Sequence, residues 1–124
     1  MKPVKNYLES KGISLEVLQK IRNDLWQESE QLVYAKGHDY NYKEQLAGDT
    51  LANLRSSSKL GILDSPDQYC LALIVNKINR INSLRFTEPA VKGESMKDAV
   101  VDAINYLTYV YAFYLERNAK LPDI

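Results

Sequence analysis

The sequence contains few of the residues on which several common kinds of protein depend. Its single cysteine, Cys70, excludes an intramolecular disulfide, and its single histidine, His38, disfavours a histidine-based metal cluster or a Ser-His-Asp triad. It has no glycine-rich phosphate loop, no cysteine pair and no EF-hand spacing. The longest apolar run, Cys70 to Val75, is far shorter than the roughly 18 residues that span a bilayer. We therefore expect a cytoplasmic protein without membrane contact.

An excess of charge of either sign is also missing. The 16 Lys and Arg residues balance the 16 Asp and Glu residues, so the formal net charge is +0 at pH 7. Proteins that bind duplex nucleic acid carry a marked basic excess, and this balance disfavours such a partner. The length of 124 residues, with 45% hydrophobic and 26% charged residues, predicts a single globular domain over residues 1–124.

Apolar residues recur at helical spacing through most of the chain, and no segment shows the two-residue alternation of a strand. Ser14 is the predicted cap of a first helix that ends at Gly37, and Ser65 before Pro66 is a strong start signal for another. The predicted helices are residues 14–36, Asp49–Leu60, Pro66 to about Arg85, and Glu94–Arg117. We predict an all-α bundle of about four principal helices, with Cys70 as a small core residue.

The predicted fourth helix carries one narrow polar stripe on an otherwise largely apolar surface, which is typical of a helix inside a bundle. The members of the stripe lie three or four residues apart: Glu94, Asp98, Asp102, Asn105 and Tyr109. Carboxylates one turn apart repel one another, and Mg²⁺ or a basic partner relieves that repulsion. The alternative is that the stripe is the solvated face of an amphipathic helix, with its acids near the N-terminus.

The predicted third helix offers a basic counterpart to this stripe. Lys77 and Arg80 are three residues apart and therefore share one face. The guanidinium fork and the ammonium point charge both suit phosphate. The alternative is a pair of structural salt bridges to the acidic stripe, and this interpretation is compatible with ligand binding at the same place.

The segment from Lys36 to Tyr42 is a third candidate, because it mixes polar groups with aromatic rings after the predicted end of a helix. Tyr40 and Tyr42 are able to stack on a base, and Asp39 is able to hydrogen-bond to it or to join a metal site. We interpret His38 as an exposed residue of this segment. The 9 Tyr against 2 Phe and 1 Trp favour aromatic surface that carries a polar group.

Three blocks of residues, in this order, resemble a known family. They are Lys36-x-x-Asp39-Tyr40, Lys77-Ile78-Asn79-Arg80 and Glu94-Ser95-x-x-Asp98-x-x-x-Asp102-x-x-Asn105-Tyr106. Together they resemble the phage and bacterial "nucleotide modification associated domain 1" family. That family is similar in turn to the all-α NTP pyrophosphatases, which include the MazG-like and dimeric dUTPase-like proteins. The resemblance covers roughly residues 30–117.

The resemblance implies an all-α, often oligomeric protein whose helices enclose a nucleotide and Mg²⁺. It also implies that Glu94, Asp98 and Asp102 form the acidic helix of such a site. The pyrophosphatases carry a second acidic pair, Glu-x-x-Glu, on the preceding helix. Here that helix has Lys77 and Arg80 instead, so fewer carboxylates are present to hold metal and activate water.

A second departure from the family is Asn41, which stands where the family typically has Gly. The two departures favour binding over catalysis. The preferred hypothesis is a binding protein for a small modified or signalling nucleotide, acting as a phage factor and without a membrane partner. We expect the following residues to contact that ligand: Lys36, Asp39, Tyr40, Tyr42, Lys77, Arg80, Asn105 and Tyr109.

Two alternatives stay open. One is a Mg²⁺-dependent nucleoside triphosphate pyrophosphatase, in which Glu94, Asp98 and Asp102 are the metal ligands and catalytic residues. The other is a non-catalytic helical interaction module, in which the acidic and basic stripes pair with each other. In each case we expect a homo-oligomer, a dimer or higher, because a small helical bundle leaves apolar surface exposed.

Overall fold

The computed structural model describes residues 11–87, 89–90 and 95–124, and over these ranges the chain forms helices and connecting turns without a strand. The elements in chain order are α1 (Leu15–Leu46), a 3₁₀ turn (Ala52–Arg55), the single turn α2 (Ser56–Lys59), α3 (Pro66–Leu84) and α4 (Met96–Arg117). The predicted all-α class is confirmed. Among the helices described here, none combines the length and the apolar character needed to traverse a bilayer.

Each of the three long helices begins at a serine whose hydroxyl accepts the N–H of the residue three positions later. These serines are Ser14 for α1, Ser65 for α3 and Ser95 for α4. The predicted caps at Ser14 and Ser65 are therefore confirmed. The fourth helix begins at Met96 rather than at Glu94, and Glu94 lies outside the described residues.

The predicted end of the first helix at Gly37 is wrong, because α1 continues to Leu46. Gly37 is buried within the helix, where its missing side chain leaves room for the segment that follows. A Cβ atom at this position would lie 2.5 Å from Gln45 Oε1 and 2.5 Å from Thr50 Oγ1. This glycine therefore permits a close approach and does not end the helix.

The chain bends at Asn41, whose backbone leaves the helical region at φ −136 and ψ 38. Its side chain is 2% exposed and is fully engaged by the turn that follows α1. The Nδ2 group donates to the Thr50 carbonyl oxygen at 3.0 Å and to Asn53 Oδ1 at 2.7 Å, and Oδ1 accepts the Asn53 N–H at 2.7 Å. One buried amide thus joins the bend of α1 to the 3₁₀ turn.

The segment predicted as one helix over Asp49–Leu60 is instead a 3₁₀ turn followed by the single α-helical turn α2. The Asp49 carboxylate accepts the N–H of Leu51 at 3.2 Å, a local hydrogen bond that competes with helix formation. Leu54 is buried and anchors the segment, whereas Leu60 is exposed. The apolar spacing in this segment therefore reflects the burial of Leu54, and not a continuous apolar face of one helix.

The core lies where α3 and α4 pack together and the 3₁₀ turn closes over them. Its buried members are Leu54, Cys70, Tyr109 and Phe113, with Val33, Leu51, Tyr69, Tyr106 and Val110 partly buried against them. Cys70 is completely buried, which confirms its prediction as a core residue. Burial raises the pKa of its thiol to about 11, so it stays protonated at neutral pH.

Arg55 joins the 3₁₀ turn to the end of α4. Its guanidinium donates two hydrogen bonds of 2.8 Å to the Glu116 carboxylate and one of 3.0 Å to Asp49 Oδ2. It also lies 5.1 Å from the ring centroid of Phe113. The hydrogen bonds from Arg55 hold the pKa of Glu116 below its usual value, so this pair is charged through the neutral range.

The substitution Asn41→Ala removes every hydrogen bond of the buried amide. The Asn53 N–H and the Thr50 carbonyl oxygen then lose the side chain to which they are hydrogen-bonded. We expect the free energy of unfolding to fall by about 2 kcal/mol, measured by urea titration. Asn23→Ala on the exposed surface of α1 is the matched control and should have little effect. Equal effects of the two substitutions would contradict the assigned role of Asn41.

The substitution Glu116→Gln should lower the free energy of unfolding at pH 7 by about 0.5–1 kcal/mol, because a half-exposed bidentate pair is partly screened by solvent. The pKa of Glu116 is depressed in the folded protein, so its carboxylate stabilises the fold at pH values above 4.5, the usual pKa of this group. This contribution is lost as the pH falls below 4.5 and through the lower pKa of the folded protein. The difference between the wild type and the variant should therefore close in acid. Glu44→Gln on exposed surface is the control, and a difference that is constant with pH would refute the assignment.

Candidate functional site

The three long helices converge on the carboxylate of Asp102. Lys36 of α1 places its Nζ 3.6 Å from Oδ1, and Lys77 of α3 places its Nζ 2.9 Å from Oδ2. The Asp102 side chain is only 17% exposed. The predicted salt bridge between the basic pair and the acidic stripe is therefore confirmed for Lys77.

The polar stripe on α4 turns toward the protein interior over most of its described length. Asn105 and Tyr109 are buried and Asp102 is partly buried, whereas Asp98 is exposed. The alternative of a solvated helix face is thus wrong from Asp102 onward. A stripe of this kind is available to pack against other helices or to line a cleft.

A cationic cleft of about 300 Å³ lies around Asp102. We define this cleft by its lining residues, which are Leu32, Lys36, Lys77, Arg80, Asp98, Ala99 and Asp102. Among the described lining residues, three cationic groups accompany two carboxylates, which is an excess of one positive charge in a chain whose formal net charge is +0. Such a cleft suits a compact anion.

A tyrosine-lined cleft of about 250 Å³ adjoins the cationic cleft, and Lys36 lines both of them. Its walls are Val33, Lys36, Gly37, Tyr40, Asn41, Thr50, Leu51, Asn53, Leu54, Tyr69, Leu73, Tyr106 and Tyr109. The Lys36 ammonium lies 5.6 Å from the centroid of the Tyr106 ring. Aromatic faces with a few amide and hydroxyl groups suit a planar, partly polar ligand.

The surroundings of Tyr109 and Asp98 shift their pKa values in opposite directions. Burial raises the pKa of Tyr109 to about 12, so its phenol stays neutral and able to donate a hydrogen bond. Asp98 Oδ2 accepts hydrogen bonds from the Ser95 N–H at 3.0 Å and the Ser95 hydroxyl at 2.9 Å. These bonds hold the pKa of Asp98 below its usual value and complete a capping box at the start of α4.

The structure brings most of the predicted site residues together. Those that line the two adjoining clefts are Lys36, Tyr40, Lys77, Arg80, Asp98, Asp102 and Tyr109. The two blocks of the chain that contain Lys36 and Lys77 are thus neighbours in space, as a shared ligand site requires.

Three predicted site residues that the structure describes, Asp39, Tyr42 and Asn105, are not part of this group. Asp39 pairs with His38 at 3.2 Å, and the Tyr42 ring lies edge-on to the His38 ring at a centroid distance of 5.2 Å. Neither Asp39 nor Tyr42 lines the two clefts. The Asn105 side chain donates to the carbonyl oxygen of Ser29 at 3.3 Å and so joins α4 to α1. Glu94 lies outside the described residues.

Several lining residues were not among the predicted contacts: Gly37, Asn41, Thr50, Asn53, Tyr69 and Tyr106. A glycine within a helical pattern is a signal for close approach, and Gly37 was open to that interpretation. Tyr106 belongs to the block that resembles the family. Tyr69 gives no local signal, because its position depends on how α3 packs.

A metal site has weak support from the described residues. Over these ranges, no three His, Cys, Asp or Glu side chains are grouped as metal ligands. Asp98 is engaged by Ser95 and Asp102 by two lysines, so both are used as partners of hydrogen-bond donors. The predicted Mg²⁺ site therefore stays a prediction, and its third proposed ligand, Glu94, lies outside the described residues.

No family model matches the chain, and no curated protein or solved structure matches it. The resemblance drawn from the three sequence blocks stays a prediction. What supports a function is therefore the chemistry of the two clefts.

The capping box yields a test of what Asp98 does. Asp98→Ala and Ser95→Ala should each lower the free energy of unfolding by about 1 kcal/mol, because each removes part of the same box. The double variant should lose less than the two single losses together, since the interactions are shared. These losses, measured by urea titration, should be the same with and without Mg²⁺. A loss at Asp98 that appears only with Mg²⁺ would assign it to a metal site instead.

Proposed function

We propose that the protein binds a small nucleotide across the two adjoining clefts. Phosphate occupies the cationic cleft, and the base occupies the tyrosine-lined cleft. The observation that carries this proposal is Lys36, which lines both clefts and so marks the junction where a phosphate and its nucleoside meet. Each cleft alone is at or below the lower end of the range of roughly 300–1,000 Å³ for ligand sites, and the two together lie within it.

The proposed phosphate site uses Asp102 as an internal counter-ion. The Asp102 carboxylate contacts the ammonium groups of both Lys36 and Lys77 at the junction of the three helices, and it balances one of these two positive charges. A phosphate offers the same ammonium groups several anionic oxygens, and Arg80 on the same wall supplies a guanidinium fork. The two lysines then divide their contacts between Asp102 and the ligand.

The proposed base site uses aromatic faces and a small number of amides. Tyr40 is 67% exposed at the edge of its cleft, so its ring has surface available for stacking. Tyr109 offers a neutral phenol, and Asn53 offers an amide that Asn41 holds in position. These groups support recognition of a planar ring with polar edges.

The wider proposal follows the resemblance of the three sequence blocks. In it, the fold is a four-helix bundle of the NTP pyrophosphatase type, with the 3₁₀ turn and α2 as its short second helix. The ligand is a modified or signalling nucleotide, and the protein acts in the cytoplasm as a homo-oligomeric phage factor. The support for an anionic ligand is the excess of cationic over acidic groups among the described lining residues of the cationic cleft.

A Mg²⁺-dependent pyrophosphatase is the second candidate. One observation favours it, which is that Asp98 and Asp102 lie one helical turn apart on the wall of the same cleft. The engagement of both carboxylates by neighbouring groups makes binding the preferred function. The interaction-module alternative differs from both, because it requires no affinity for nucleotides.

Variants of the cationic cleft distinguish these functions by calorimetric titration with a panel of nucleoside mono-, di- and triphosphates. Lys77→Gln should weaken binding roughly tenfold, about 1.4 kcal/mol, because a cation that contacts phosphate is lost. Arg80→Ala should weaken binding more than Asp98→Asn does.

Asp102→Asn should tighten binding severalfold, because it removes the carboxylate that competes with phosphate for two lysines. Lys43→Gln, on exposed surface outside both clefts, is the matched control.

The same variants separate the alternatives. A pyrophosphatase would cleave the triphosphates with Mg²⁺ and lose this activity in Asp98→Asn and Asp102→Asn. An interaction module would bind no member of the panel in any variant. Weaker binding by Asp102→Asn would contradict the internal counter-ion proposed here.

A further inference from the structure

The side-chain amide of Asn41 has a fixed orientation, because two of its hydrogen-bond partners are backbone groups. Its Oδ1 accepts the Asn53 N–H at 2.7 Å, and its Nδ2 donates to the Thr50 carbonyl oxygen at 3.0 Å. A backbone N–H only donates and a carbonyl oxygen only accepts, so a rotated amide would make two contacts between like groups. The Asn41 side chain is 2% exposed, and at a buried position such contacts are costly because water does not replace the lost hydrogen bonds.

This orientation also fixes the side-chain amide of Asn53. Asn41 Nδ2 carries a second hydrogen, and the Asn53 side chain accepts it at 2.7 Å. Only an oxygen accepts here, so Asn53 must present Oδ1 to Asn41 and hold Nδ2 at the other end of its amide. Over the described ranges, this contact is the one hydrogen bond of the Asn53 side chain. Its Nδ2 group therefore keeps both hydrogens for a ligand.

Asn53 lines the tyrosine-lined cleft and is exposed. An asparagine that is able to rotate offers a ligand either its oxygen or its amino group. Rotation of Asn53 would bring its amino group against the amino group of Asn41, so only the donor end is available to the cleft. Asn53 is thus a hydrogen-bond donor whose sense is set by a buried neighbour.

The other polar groups of the tyrosine-lined cleft do not oppose this preference for an acceptor in the ligand. Lys36 contributes an ammonium, which only donates, and the described lining residues include no Asp or Glu. The Asn41 and Asn53 amide oxygens and the Thr50 carbonyl oxygen each accept a hydrogen bond already. The tyrosine and threonine hydroxyls act in either sense. The groups of fixed sense therefore favour a ligand edge that carries an oxygen acceptor.

We propose that Asn53 makes the cleft selective for a nucleotide whose base carries a carbonyl oxygen on its recognised edge, to which Nδ2 donates. The selectivity rests on the proposed nucleotide binding and adds the class of base. Uracil, thymine, guanine and hypoxanthine belong to the favoured class, whereas cytosine and adenine carry an amino group at the corresponding position. An amino group facing Asn53 Nδ2 would leave two donors in contact and both unsatisfied. Asn41 is a positioning residue, because it acts through Asn53.

Two pairs of nucleotides test the proposal on the wild-type chain, because the members of each pair differ only in an oxo or amino group and the adjoining ring nitrogen. The pairs are uridine with cytidine and inosine with adenosine, as 5′-monophosphates and 5′-triphosphates. Calorimetric titration without Mg²⁺ keeps the ligands intact. In each pair that binds, the oxo member should bind about tenfold tighter or more. Equal affinities, or tighter binding of the amino member, would overturn the proposal.

Asn53→Asp reverses the sense of the group that reads the base. One carboxylate oxygen still accepts from Asn41 Nδ2, and the other stands where the donor was. The cytidine and adenosine nucleotides should then bind at least as tightly as their oxo partners. The added negative charge weakens all phosphorylated ligands, so the affinity ratio within each pair is the readout. Asn23→Asp on the exposed surface of α1 is the matched control and should keep the wild-type ratio.

Asn41→Ala tests the positioning role with the same ratio. Without its partner, the Asn53 amide turns either end to the ligand, so the two members of a pair should bind with nearly equal affinity. A merely structural role of Asn41 would weaken both members alike and leave the ratio unchanged. Far-UV circular dichroism verifies that each variant keeps its helix content.

The outcomes separate the selectivity from the nucleotide binding on which it rests. A folded Asn53→Asp or Asn41→Ala variant that keeps the wild-type ratio would contradict the proposed selectivity alone. Wild-type binding without a preference would do the same. Absence of binding for every nucleotide in the set would refute the proposed function, and the selectivity with it.

Discussion

One carboxylate facing two ammonium groups joins the three long helices of this protein. Asp102 of α4 contacts Lys36 of α1 and Lys77 of α3, and it does so at a point where its side chain is largely shielded from water. A partly buried charge is costly unless it is paired, so α1 and α3 must both bring a lysine close to Asp102. The same requirement places the cationic cleft beside the tyrosine-lined cleft, because Lys36 belongs to both. An arrangement that balances charge within the fold thereby creates a place for an external anion.

The parts of the fold that depend on neighbouring residues were predictable from the sequence, and the parts that depend on distant approach were not. Ser14 and Ser65 cap helices through contacts three residues away, so their role is readable in the sequence. Gly37 is a typical residue for the end of a helix. Its role here depends instead on Thr50, which approaches so closely that a side chain at position 37 would not fit. Among the predicted site residues, Lys36, Lys77 and Asp102 do meet, because side chains on one face of each helix converge. Asp39 and Tyr42 lie elsewhere, because α1 continues through the predicted loop and turns them toward His38.

The burial of α4 differs between its sides. The apolar character of its C-terminal half predicts a helix enclosed on all sides, yet Leu107 and Tyr111 stay exposed in the single chain. The core covers one side of α4, and α1 crosses the helix at Asn105, whose side chain donates to the Ser29 carbonyl oxygen. Neither Leu107 nor Tyr111 lines the two clefts, so the proposed nucleotide site lies on other sides of α4.

The central claim is that the cationic and tyrosine-lined clefts together hold an intact nucleotide. It is tested most directly by incubating the protein with a mixture of nucleotides and Mg²⁺, re-isolating it, and identifying by mass spectrometry what heat denaturation releases. The account predicts one intact nucleotide in an amount close to stoichiometric with the protein. Cleaved nucleotide together with free pyrophosphate, or protein that retains no phosphorylated compound, would contradict it.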